Sequence, residues 1–147
     1  MSARAIVLAL VATSLAVAAP ASFAVSSQTD AKGKVTFLTT ETGNASATNG
    51  AVAGVGHFTV SGAISDKGKS TSYRADKPTK TLIRRVLVGN KGTINLLVTI
   101  SKTAFTKLWT LTSGTRAYKG LHGAGTETSA VFTGNKVVVT LTGTVSQ

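Results

Sequence analysis

TLIRRVLVGNKGTINLLVTIS, residues 81–101, holds the strongest folding signal in the chain. In its second half Ile94, Leu96, Val98 and Ile100 fall on one parity and Asn95, Thr99 and Ser101 on the other. That period of two belongs to a strand with one buried face. Asn90-Lys91-Gly92 divides the halves and supplies residues that accept the positive φ of a tight hairpin. The first half is apolar on both parities. Leu82, Val86 and Val88 share one face, Ile83 and Leu87 the other, and each face carries an arginine, Arg84 or Arg85. A strand of this kind is covered on both sides, here by a long loop or a neighbouring subunit.

On either side the same alternation recurs, and no window holds a helical stripe. Eight strands are expected, over Lys34–Thr40, Val55–Ser65, Ser70–Asp76, Thr81–Val88, Thr93–Ser101, Thr106–Thr112, Gly123–Phe132 and Lys136–Val145. Val137, Val139, Leu141 and Val145 form the apolar row of the last strand, and Phe58, Val60 and Ile64 that of the second. Asp66-Lys67-Gly68-Lys69 and Gly134-Asn135 read as further hairpin turns, and Lys77-Pro78-Thr79-Lys80 as a looser connection. Short hairpins in series describe an all-β, antiparallel up-and-down meander, and eight strands suffice to close it into a barrel without exposed edges.

Met1–Ala24 reads as a secretory leader. Arg4 provides the positive start, Ala5–Ala19 the apolar stretch, Pro20 the break, and Ser22-Phe23-Ala24 the small-residue cleavage site. The apolar stretch is too short for a transmembrane span, and no stop-transfer charges follow it. Cleavage after Ala24 takes 24 of 147 residues and leaves 123. Those comprise a polar tether, Val25–Gly33, and a single domain over 34–147. A secreted or envelope location follows. The chain has no cysteine, which excludes a lipid-anchored leader and favours a bacterial setting over an oxidising eukaryotic pathway. In that setting Asn44-Ala45-Ser46 is a polar loop rather than a glycan site.

Sixteen basic residues less Arg4, against five acids, give the mature chain a formal charge of +10. This favours anionic envelope polymers or headgroups as surroundings. Secretion argues against nucleic acid as a specific partner. The run from Lys67 to Lys91 holds eight cations against Asp76 alone, and part of it should gather at one barrel end.

Trp109–Gly125, WTLTSGTRAYKGLHGAG, is the most distinctive stretch. It resembles the glycine-rich turn of the dirigent and allene oxide cyclase-like superfamily. Gly114, Thr115, Tyr118 and Gly123 match that turn, and Gly120 fits its cyclase-like version. Ser113 and Arg116 stand where the pattern has glycines. The resemblance implies an eight-stranded antiparallel barrel, often a homotrimer, with the ligand in the barrel mouth. The matched residues are expected to be architectural.

Candidate chemistry is sparse. His57 and His122 lack partners at metal-ligand spacing and read as solvated. No nucleophile elbow or phosphate loop is present, and no cofactor is implied. Of the carboxylates, Glu41, Asp76 and Glu127 remain for acid–base work, with Tyr73 as a phenolic partner. Glu127 lies mid-strand among small residues. Arg84 points into the barrel if Leu82 and Val86 do, where Glu127 or a ligand carboxylate would be its partner; otherwise it faces water. Three functions fit. The first is a non-catalytic module that binds a small apolar or amphipathic ligand, or an envelope partner. The second is a cofactor-free cyclase or isomerase with its catalytic residues unassigned, which a deep cavity lined by the candidate ligand-binding residues Arg84, Glu127 and Tyr73 would favour. The third is cationic adhesion to the envelope.

Overall fold

The parity of the apolar residues closes into a ring. In the computed structural model, which describes residues 31–43, 47 and 49–147, eight strands follow one another around a barrel. They are β1 Lys32–Gly43, β2 Val52–Gly62, β3 Asp66–Asp76, β4 Lys80–Gly89, β5 Thr93–Ser101, β6 Lys107–Gly114, β7 His122–Thr133 and β8 Lys136–Ser146. Each pairs antiparallel with the next, and β8 returns to β1 in register from Lys32↔Ser146 to Thr42↔Lys136. The leader, the tether up to Asp30 and Asn44-Ala45-Ser46 lie outside the described residues. β1 starts at Lys32, so Lys32 and Gly33 belong to the barrel rather than to the tether.

Several turns differ from expectation. Asp66-Lys67-Gly68-Lys69 is not a turn but the start of β3, and the chain reverses at Ala63–Ser65 instead. Gly62 supplies the positive φ there, at +105°. Ile64 therefore leaves the β2 row, although it still packs on the core. Lys77-Pro78-Thr79-Lys80 is tight rather than loose: Lys77 N–H donates to the Lys80 carbonyl at 2.8 Å. Pro78 sits where no ladder donor is needed.

The inward row of β5 is Ile94, Leu96 and Val98, all fully buried. Register with β4 places Leu87 beside Ile94, Arg85 beside Leu96 and Ile83 beside Val98. The inward face of β4 is thus Ile83, Arg85 and Leu87, and Leu82, Arg84, Val86 and Val88 point outward. Phe37, Phe58, Trp109, Leu111, Leu141 and Val145 complete the core. Trp109 meets Phe37 edge-on, with ring centroids 5.4 Å apart.

One end of the barrel is plugged. After β6 the chain makes a short 3-10 turn, Arg116–Tyr118, that buries Tyr118 and Leu121. Thr115 Oγ1 accepts the Thr93 N–H at 3.0 Å and the Tyr118 hydroxyl donates to Asp66 Oδ2 at 2.8 Å. Asp66 also accepts the backbone N–H groups of Asn90 and Lys91 in the β4–β5 turn. A Cβ on Gly114 would strike the Tyr118 side chain at 2.7 Å, and one on Gly123 the Thr144 carbonyl at 2.8 Å. Gly120 has φ +79°. Arg116, where the family pattern has glycine, takes φ +53° all the same. These residues make the plug.

Candidate functional site in the barrel mouth

The opposite end is open. There the interior row changes from apolar to polar, and a cavity of about 600 Å³ lies above the core. Its lining mixes polar and aliphatic side chains: Glu41, Ser72, Thr81 and Arg85 stand beside Ile83 and Ile100 on β4 and β5 and beside Ala130, Val137 and Val139 on β7 and β8, with Val137 the cross-strand partner of Glu41. Lys107 and Glu127 also line the cavity, and Phe132 and Asn135 reach its edge. β6 pairs with β7 only from Leu108↔Thr126 to Thr110↔Ala124, so β7 beyond Thr126 pairs with β8 alone. That leaves the cavity open beside Lys107.

Glu41 organises the polar side chains of the lining. Its carboxylate is 2% exposed. It accepts from Ser70 Oγ, from Ser72 Oγ at 2.8 Å and from Arg85 Nη1 at 2.7 Å. Arg85 Nη1 also lies 3.3 Å from Thr39 Oγ1. β1, β3 and β4 each contribute inward-facing members, because all stand on the parity of the core. Gly54 on β2 makes room, since a Cβ there would come within 2.8 Å of Glu41 Oε2. The Arg85 Nε is buried without an acceptor. A second ion pair lies nearer the opening: Lys107 Nζ reaches Glu127 Oε1 at 2.9 Å, the Glu127 side chain being 5% exposed.

The sequence-derived candidates separate here. Glu127 faces the cavity, but its partner is Lys107 and not Arg84. Arg84 lies on the outer face, with its guanidinium stacked 4.4 Å from the Tyr73 ring centroid. The interior Arg84–Glu127 pair is therefore replaced by two pairs, Arg85–Glu41 and Lys107–Glu127. The physical reason is that a buried guanidinium needs a counter-ion, and the phase that turns Arg85 inward brings it to Glu41. Tyr73 is not at the cavity. Arg85 and Lys107 were missed; the parity of Glu41 with Val35, Phe37 and Thr39 was the available signal. His57 and His122 are exposed on β2 and β7.

The basic run also divides. Lys77 and Lys80 stand at the mouth with Arg74, whereas Lys67 and Lys91 lie toward the plugged end. At the mouth Arg74 Nε donates to Asp76 Oδ2 at 2.8 Å, and Thr81 and Lys102 also contact that carboxylate. The bond from Arg74, then that from Thr81, holds the Asp76 carboxyl down at about 2, against an ordinary 3.8. Burial pushes Asp66 upward, but its hydrogen bonds from Lys91, Tyr118, Lys67 and Asn90 outweigh this and lower it. Burial first, and the bond to Asp66 second, raise the Tyr118 phenol.

Both aspartates bind protons less readily folded than unfolded. Their stabilisation is therefore complete above the unfolded value and is lost as pH falls through the folded one. Urea unfolding midpoints should be level above about pH 5 and decline from about pH 4 downward. Asp66→Asn should shallow that decline, and an unchanged slope would remove Asp66 as a contributor.

No family model matches the chain, and no curated protein and no solved structure matches it. The functional reading rests on this cavity.

Proposed function

We propose that the protein is a non-catalytic binding module that takes a small amphipathic molecule into the mouth of its barrel. The observation that carries this reading is the cavity itself. Its volume of about 600 Å³ falls in the range of ligand pockets, roughly 300–1,000 Å³. Its lining sets aliphatic side chains beside charged hydrogen-bond donors, as an apolar body with an oxygen-bearing head requires. Lys107, with its side chain 41% exposed, is the cation such a head would meet first.

Acid–base catalysis is less well supported. Glu41 already accepts from three side chains and Glu127 from Lys107. Glu41 is occupied on both oxygens, whereas Glu127 is bonded through Oε1 alone and is the carboxylate of the cavity lining that such chemistry would have to use. The leader supports action outside the cytoplasm. The closed barrel and the plug around Tyr118 support placing the chain with the allene oxide cyclase-like and dirigent-like barrels, as part of the same proposal.

Dodecanoate, with dodecanol as its uncharged counterpart, tests the reading by titration calorimetry. Dodecanoate should bind one per barrel. Ala130→Trp, which fills the cavity, should abolish that binding. Lys107→Met removes the accessible cation and leaves Glu127 facing the head group. It should weaken dodecanoate about tenfold or more, a charged hydrogen bond being worth about 1.5–3 kcal/mol, and leave dodecanol nearly unaffected. Failure of both ligands to bind a folded barrel would overturn the proposal.

A further inference from the structure

Among the described residues the phenylalanines divide sharply. Phe37 and Phe58 are in the core, while Phe105 is 87% and Phe132 71% exposed. Both exposed rings are at the open end, Phe105 in the β5–β6 turn and Phe132 at the end of β7. Val131 beside Phe132 is 57% exposed. Apolar groups of this size, left in water at one end of a protein, mark an interaction surface.

The platform beneath Phe105 is built. Ser101 N–H donates to the Thr106 carbonyl at 2.8 Å, closing the turn, and Ala104 N–H donates to Ser101 Oγ at 3.0 Å. Lys102 N–H donates to the Thr79 carbonyl at 2.9 Å and its Nζ to the Lys77 carbonyl at 3.0 Å. The β3–β4 and β5–β6 turns are thereby tied together. Phe105 itself takes φ +54°, a conformation that a side chain of this size rarely adopts. The turn thus projects its ring from a fastened base.

Cations stand at the same end as the rings. Lys77, Lys80, Lys102 and Lys136 are all exposed at this end. The acid at the rim is Asp76, already engaged by Arg74. The plugged end is also basic, but among the described residues its large exposed apolar side chain is Val88 near the end of β4, and no exposed aromatic ring accompanies the charge there. Aromatic rings among lysines fit one environment, the interface of an anionic bilayer. There the rings enter the headgroup–acyl boundary and the ammonium groups meet lipid phosphates. We propose that the barrel docks mouth-first on anionic lipid surfaces, through Phe105, Phe132 and the lysines of the β3–β4, β5–β6 and β7–β8 turns. The docking proposed is peripheral, because the outward rows of the strands carry polar side chains, such as Asn95 and Thr99 on β5 and Thr140, Thr142 and Thr144 on β8, rather than the apolar band of a spanning barrel. It does not depend on whether the cavity is loaded.

Vesicle flotation tests this. The barrel closes on itself from Lys32 to Ser146, so the chain from Val25 onward carries the whole fold. That chain also lacks the apolar leader, which would bind lipid by itself. It should float with phosphatidylcholine–phosphatidylglycerol vesicles and remain behind with phosphatidylcholine alone. Lys77→Glu/Lys80→Glu should weaken binding by about fivefold or more per residue. Phe105→Ser/Phe132→Ser should also release the protein from vesicles but leave its retention on heparin unchanged. Lys32→Glu/Lys67→Glu, at the plugged end, should have little effect on vesicle binding. All these sites are exposed, and Trp109 emission confirms that each variant is folded. Equal losses from the two lysine pairs would mean unoriented charge attraction and overturn the proposal. So would vesicle binding that ignores the phenylalanines, which would point to a soluble polyanion as partner.

Discussion

Glu41→Gln and Arg85→Met should each destabilise the barrel by about 3–5 kcal/mol, and the double variant should recover much of that loss. Both side chains are almost fully buried, at 2% and 6% side-chain exposure, and they meet at 2.7 Å. Removing either leaves the other charged, desolvated and without its counter-ion. Removing both leaves an uncharged amide facing Ser70 and Ser72, whose hydroxyls can donate or accept as that amide requires. Urea unfolding, followed by the emission of Trp109, measures the cycle. Arg84→Met is the internal control, since it is the same change one residue away on the opposite face. There a partly exposed cation stacks on Tyr73, worth about 0.5–1 kcal/mol. Equal costs for Arg84 and Arg85, or strictly additive losses for Glu41 and Arg85, would refute this account of the buried pair.

The adjacent arginines also show what the sequence could and could not tell. Strand number, order and closure were legible because strands such as β2, β5 and β8 keep most of their apolar residues on one parity, Val55, Leu97 and Val138 being the exceptions. In β4 both parities are apolar, and counting favours the wrong one: Leu82, Val86 and Val88 outnumber Ile83 and Leu87. The deciding term is electrostatic and non-local. The inward arginine must be the one that finds a carboxylate, and that carboxylate stands on β1, 44 residues earlier in the chain. A first strand read as ending at Thr40 stops one residue short of Glu41, and hides it from the barrel interior. Glu127 was legible as an unusual mid-strand acid, but nothing local singled out Lys107 from the other lysines as its partner. The Asp66 segment failed for a related reason. Asp-Lys-Gly-Lys has turn composition, yet Gly68 serves close packing against β4, and Asp66 serves the plug through contacts that only the closed barrel provides.

Gly143→Ala should cost the fold about 1–3 kcal/mol or more for a single methyl group, because the Ala124 carbonyl of β7 and the indole of Trp109 leave it no space. Gly143 on β8 faces Gly125 on β7, and together they floor the slot in which that ring lies. A Cβ on Gly143 would collide first with the Ala124 carbonyl oxygen of β7, and would approach Trp109 Cζ2 to 2.6 Å and Gly125 Cα to 2.8 Å; one on Gly125 would collide first with the Thr142 carbonyl oxygen and approach Trp109 Nε1 to 2.7 Å. The ring cannot move away freely. Phe37 abuts it, and its Nε1–H donates to the Thr142 carbonyl at 3.0 Å. Displacement would leave that buried donor unpaired, at a further cost of about 1–3 kcal/mol. Trp109 is the chain's one tryptophan and fully buried. Its emission should therefore be blue-shifted in the native protein and move to the red in Gly143→Ala. Trp109→Leu in the Gly143→Ala background separates the two obstacles the methyl group could meet. If the indole is the obstacle, the smaller side chain admits the methyl, and the double variant is more stable than the sum of the single losses allows. If the losses simply add, the obstacle is the backbone of β7, and the glycine is there for strand approach rather than to seat the tryptophan.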